Sequence, residues 1–234
     1  MRKLVRLDIK DGWIIKGMRL EGYRKICRLE EALDHIYSMS DIEVILFGVV
    51  DALFGTKDAI SRIPEFVSRV HLPLCVGGGV SATEDVDRIF DGGADRILLN
   101  SSVVNYPNVI EHLISHYGAQ AAVAHMQVWK RGERYRLMRW AGKEPLGVSI
   151  ESYLALVKDL GIKEVHISSV NDDGMLGGWS LQTLLDEVLE AGLEVTVSGG
   201  FSSFEEQFIG QSPHGIALAT AFYRDNRFEG VNLV

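Results

Sequence analysis

Only two cysteines, Cys27 and Cys75, occur in the 234 residues. They are too few for a disulfide framework and too far apart in sequence for a local metal motif, so both read as reduced thiols. No apolar run approaches the roughly 20 residues that cross a bilayer. The start, Met1-Arg2-Lys3-Leu4-Val5-Arg6, lacks the uncharged apolar core of a signal peptide. The expectation is a cytoplasmic chain that engages no membrane. Basic charge is also scarce, with 24 Lys and Arg against 32 Asp and Glu and a formal net charge of −8. That balance argues against nucleic acid as the main partner, because phosphate backbones are held by concentrated Lys and Arg. Small phosphates stay open, since backbone amides at helix N-termini bind them without a basic excess. The seven His residues show no metal-ligand spacing, and no Ser–His–Asp or Cys–His motif stands out, so no metal or cofactor is expected.

What is present is a hydrophobic fraction of 47% with no Pro-, Ser- or Gly-rich linker, which suits one folded domain spanning residues 1–234. Short Val-, Ile- and Leu-rich runs alternate with amphipathic segments, the pattern of parallel strands joined by helical crossovers. Eight strands are expected, at residues 4–9, 43–48, 72–76, 96–99, 121–126, 164–168, 194–197 and 215–219. Helices are expected at 29–37, 56–69, 82–91, 108–117, 150–160 and 181–191, where apolar residues return at three- and four-residue steps. Eight such units over about 250 residues predict an α/β fold, the (β/α)8 TIM barrel.

Two glycine turns favour a closed barrel over an open sheet with one ligand crevice. Gly77-Gly78-Gly79 follows the third strand and Ser198-Gly199-Gly200 the seventh, about half the chain later. Asn100-Ser101 and Thr220-Ala221 follow the next strand in each half. Glycines let backbone N–H groups approach an anion, and each turn is expected to lead into a helix whose positive end favours phosphate. Gly78, Gly79, Asn100, Ser101, Gly199, Gly200, Thr220 and Ala221 are therefore the phosphate-binding candidates. Alternation puts Asp8 on the same inward side of the first strand as Arg6 and Lys10, near the mouth, where a carboxylate can transfer protons. Asp11-Gly12 reads as a turn, and Asp173-Gly174 as a turn or a pocket carboxylate. His125 and His166 are open to either the pocket or the helical shell. The stretch from Trp129 through Tyr135 to Trp140 reads as a surface hairpin or lid.

Several motifs together resemble the cyclase subunit of imidazole glycerol phosphate synthase. They are Leu7-Asp8-Ile9-Lys10-Asp11-Gly12 with Lys16-Gly17, Val76 to Val80, Gly93-Ala94-Asp95-Arg96 with Asn100-Ser101, Gly118-Ala119-Gln120, Glu164 to Ser169, Asp173-Gly174, and Ser198-Gly199-Gly200. The resemblance covers nearly the whole chain. It implies a barrel that takes a bisphosphorylated ribulosyl aminoimidazole carboxamide and uses ammonia, delivered through the barrel from a glutaminase on the N-terminal face, to cleave and cyclise it. On this resemblance Asp8 is the first catalytic aspartate, Asp173 a pocket aspartate and Lys16 a substrate-loop lysine. Arg2, Glu43, Arg96 and Glu164 match the charged ring through which ammonia enters.

Gln127 stands where the second catalytic aspartate is expected, and a neutral amide cannot exchange that proton. Gly48 likewise replaces an aspartate after the second strand. These departures imply a divergent paralogue, with an ammonia-passing subunit of an amidotransferase in surface-polysaccharide sugar modification as one alternative. The sister phosphoribosyl isomerase of histidine biosynthesis is another.

Overall fold

Residues 1–39, 41–53, 67 and 70–224 are described by the computed structural model. From the N-terminus, β1 (Arg2–Lys10) runs into an antiparallel hairpin of β2 (Trp13–Met18) and β3 (Glu21–Arg28). Next come α1 (Leu29–Ser38), β4 (Val44–Val49) and the short α2 (Val50–Leu53). They are followed by β5 (Leu74–Gly77), α3 (Thr83–Asp91), β6 (Arg96–Leu99), α4 (Ser102–Asn105) and α5 (Pro107–Tyr117). The second half starts with β7 (Ala122–Arg131), its hairpin partner β8 (Arg134–Arg139), the two-residue β9 (Glu144–Pro145) and α6 (Ile150–Asp159). It ends with β10 (Glu164–Ser169), α7 (Gln182–Glu190), β11 (Glu194–Ser198), β12 (Gly215–Leu218) and α8 (Thr220–Tyr223).

Strands β1, β4, β5, β6, β7, β10, β11 and β12 pair in parallel, and β12 returns to β1, so the sheet closes into an eight-stranded barrel. The pleat then divides the side chains between two environments. Leu4 packs inside the barrel with Leu46, Cys75, Val123 and Ala217. Val5, Leu7 and Ile9 face outward and join Leu33 and Ile36 of α1 in the main apolar core. Each such side chain, fully buried, stabilises the fold by about 1.5–3 kcal/mol.

All eight expected strands are present in this ring. The helix expected at 56–69 falls, apart from Val67, outside the described residues. Asp11 and Gly12, with φ of 50° and 73°, make the turn into β2. The β2–β3 hairpin itself is an addition to the expected elements, and the 129–140 stretch forms the expected hairpin as the end of β7 with β8.

One expectation needs correction. The Gly78-Gly79 turn leads into α3, but the Gly199-Gly200 turn leads into an irregular segment with no helix before β12. The half-chain repeat nevertheless survives in hydrogen bonds. The Ser81 amide and hydroxyl donate to Asp85, and the Ser202 amide and hydroxyl donate to Glu206. In the second half, Phe201, Phe208 and Trp179 pack together where the helix would lie.

Candidate active site

The C-terminal ends of the strands surround a cavity of about 260 Å³. Gly78 and Gly79 line it beside Asn100, Ser101 and Ser102, with Asp8, Arg6, Gln127 and His125 deeper and Trp140 and Tyr106 at the rim. Gly78 has φ of 130°, and a Cβ there would sit 2.4 Å from the Val49 carbonyl oxygen. Gly199, with φ of 97°, lies equally close to the Ser169 carbonyl oxygen, 2.6 Å from an added Cβ. Both glycines therefore serve close backbone packing as well as leaving amides open. Asn100 contributes to the rim differently from expectation: its Nδ2 donates to the His125 and Met138 carbonyls, at 2.8 and 3.1 Å. What it can offer an anion is its backbone amide.

The other half of the mouth lies outside this cavity. Gly178 N donates to Gly200 O, and Trp179 Nε1 donates to Ser198 O. Thr220 lines a separate cavity of about 150 Å³ with Lys16, Arg24 and Gly174. Its Oγ1 is buried without a partner among the described residues. Gly199, Gly200 and Ala221 line neither of the two cavities.

Lys16 and Asp173 are brought together, although 157 residues apart in sequence. Lys16 Nζ donates to Asp173 Oδ2 at 2.5 Å with both side chains buried, and the Leu20 amide donates to the same oxygen. Asp173 thus latches the β2–β3 hairpin to the loop after β10. Leu20 then packs with Met138, Ala141 and Val170, joining the two hairpins over the mouth. Gln127 secures the second hairpin, accepting the Gly142 N–H on Oε1 at 2.9 Å.

Sequence reasoning missed the charge beneath Asp8. Arg6 donates from Nε to Asp8 Oδ1 at 3.1 Å and from NH1 to Ser168 Oγ at 3.3 Å across the barrel. Burial opposes its charge, but Asp8 beside it, together with Asp173 and Tyr23, outweighs burial, and the guanidinium pKa is raised. Alternation had placed Arg6 and Asp8 on one face, the one signal that could have revealed the pair. Gly48 is part of the same arrangement, since a Cβ there would lie 2.4 Å from Asp8 Oδ1.

His125 and His166 both face the interior. His125 Nε2 contacts Ser168 Oγ at 2.8 Å, and His166 bonds Thr196 and Ser198 hydroxyls at 2.9 Å each. Burial, then Arg6, pushes the His166 pKa down to about 3. Burial, then His166 and Arg6, holds His125 well below the usual range. Both rings are neutral in the folded protein at neutral pH. Unfolding restores an ordinary His pKa of about 6.5, so the unfolded chain binds more protons between about pH 3 and 6.5. Stability is therefore fully present above about pH 6.5 and falls on acidification. For His166 alone the loss between pH 7 and pH 5 is about 2 kcal/mol. Urea unfolding should show that extra loss in the native protein relative to His166→Gln, and parallel pH profiles would refute the neutral buried ring.

At the opposite end, Arg2 NH2 and Arg96 NH1 bind Glu164 at 2.9 and 2.5 Å, and Glu194 approaches Arg2 at 3.7 Å. Glu43 instead accepts the Lys3 amide at 3.2 Å. Three members of the expected ring therefore cluster, while Glu43 bonds elsewhere. Among the described residues no group of three or more His, Cys, Asp or Glu could hold a metal ion. Nor is any helix among them long and apolar enough to cross a membrane.

A closed parallel barrel with a glycine-turn pocket at the strand C-termini defines a (β/α)8 barrel with its cavity on the face where such barrels carry their sites. A family model described as "Histidine biosynthesis protein" matches residues 4–227, and the chain belongs to that family. The imidazole glycerol phosphate synthase subunit HisF of Chlorobium phaeovibrioides is 30% identical over 205 residues, covering 87% of this chain and 81% of that protein. HisF of Chlorobium limicola is 28% identical over 225 residues, covering 95% and 89%. The chain is a divergent relative of the cyclase subunit.

Proposed function

We propose that this chain is an ammonia-using subunit of the cyclase type, acting on a phosphorylated small molecule at the C-terminal mouth and supplied by a glutaminase docked on the N-terminal face. The observation that carries this reading is the placement of two sites on one barrel axis. The Gly78-Gly79 and Asn100-Ser101 turns line a cavity at one end, and the Arg2–Glu164–Arg96 cluster stands at the other. Partly exposed ion pairs contribute only about 0–1 kcal/mol each to stability, so an entrance or docking role accounts for the cluster better than folding does. Relatives named as the HisF subunit of a synthase support a partner subunit.

Within this reading Asp8 is the proton-transfer carboxylate, Arg6 keeps it oriented over Gly48, and the Gly turns hold phosphate. A second reading, a non-cyclising subunit that passes ammonia on, is favoured by Gln127, whose carbonyl oxygen is committed to Gly142. Both readings need the N-terminal partner. Co-expressed with a family glutaminase subunit, the native barrel should co-elute with it in size-exclusion chromatography, and Arg96→Glu should release it. Absence of any complex with the native chain would refute the partner.

A further inference from the structure

The cavity above Arg6 is unequally supplied with hydrogen-bonding groups. Gln127 is only 7% exposed, and its Oε1 faces the Gly142 N–H. A backbone N–H can only donate, so this contact fixes which end of the amide is oxygen. The Nε2 end then carries two donors, and no acceptor among the described residues takes them. They are left to the cavity that Gln127 lines. Tyr23 lines the same cavity, and its hydroxyl donates to no acceptor among the described residues. Burial, then the charge of Asp8, raises its pKa, so the phenol stays protonated and remains a donor. Arg6 adds a guanidinium beneath them. Against these donors stands, among the described residues, a single lining carboxylate, Asp8, whose Oδ1 is already taken by Arg6. Neither atom is among the fully buried ones left without a partner, so these donors open onto the cavity, where a ligand that supplies acceptors takes them from water.

We infer that the ligand of this cavity is a phosphorylated carboxylic acid, its phosphate at the Gly78-Gly79 and Asn100-Ser101 turns and its carboxylate accepting from Gln127 Nε2 and the Tyr23 hydroxyl. This rests on the phosphate reading of those turns and adds the chemistry of the ligand's other end. Gln127 is then a specificity-determining residue. An aspartate or glutamate at that position would present acceptors and a negative charge to the same group, and would reject it.

The test uses a matched pair of ligands, 6-phosphogluconate and glucitol 6-phosphate, which share a carbon chain and a phosphate and differ at one end as carboxylate and alcohol. Calorimetric titration of the native protein should show the acid binding at least tenfold more tightly, with inorganic phosphate competing against both. Gln127→Glu retains an oxygen for Gly142 and should abolish the preference for the acid, lowering the affinity for the acid at least tenfold more than that for the alcohol. Tyr23→Phe should weaken the acid alone by severalfold. Equal native affinities, or a preference untouched by Gln127→Glu, would overturn the inference while leaving the phosphate site standing. Binding of the acid without competition by phosphate would overturn the phosphate reading instead, and binding of neither ligand would overturn both.

Discussion

Replacing Lys16 by methionine should destabilise the protein by about 3–5 kcal/mol, because it leaves the Asp173 carboxylate buried without its cation. Both side chains are almost fully enclosed, at 3% and 6% exposure, so solvent screening offers little relief. For a chain of this size each kcal/mol lowers the melting midpoint by about 2–4 °C, which puts the expected shift near 10 °C. The double variant Lys16→Met/Asp173→Leu should recover most of the loss, since replacing a buried pair with apolar groups is often neutral or stabilising. Chemical denaturation of the two single variants and the double variant measures this directly. A cost below about 1 kcal/mol for Lys16→Met would mean that the pair is solvated and the hairpin is not latched by it.

The latch shows where sequence reading stops. Both residues were visible as candidates, one for a substrate loop and the other for a pocket carboxylate. Their union depends on the β2–β3 hairpin, which folds back over the mouth and holds Arg19 and Leu20 at φ of 53° and 59°. No periodicity announces a hairpin whose register shifts twice, between Ile14 and Ile15 and between Lys16 and Met18. The eight barrel strands, by contrast, are short runs rich in Val, Ile, Leu and Ala and mostly buried on both faces, and that pattern is legible without partners.

The half-chain repeat was equally legible, and its failure is physical. Ser81 and Ser202 bond alike to the acidic residue four positions on, yet only the first turn continues into a helix. Around the second, packing of Phe201, Phe208 and Trp179 takes over. Arg6 lay in plain view beside Asp8. Its importance emerged only when the barrel closed and brought Ser168, 162 residues away in sequence, within reach of the guanidinium.

On the cyclase-type reading proposed above, this barrel keeps the family's mouth while lacking one of its two proton carriers. The most direct measurement is turnover of the bisphosphorylated ribulosyl aminoimidazole carboxamide with saturating ammonia, comparing the native protein with Gln127→Asp. The native protein should turn over slowly or not measurably, and Gln127→Asp should raise the rate at least tenfold. A positioned acid–base group contributes about 10²–10⁴-fold, and part of that is forfeited because aspartate is shorter and gives up the Gly142 contact. Asp8→Asn, added to Gln127→Asp, should abolish the gain. Rapid native turnover, insensitive to position 127 and lost with Asp8→Asn, would contradict the account.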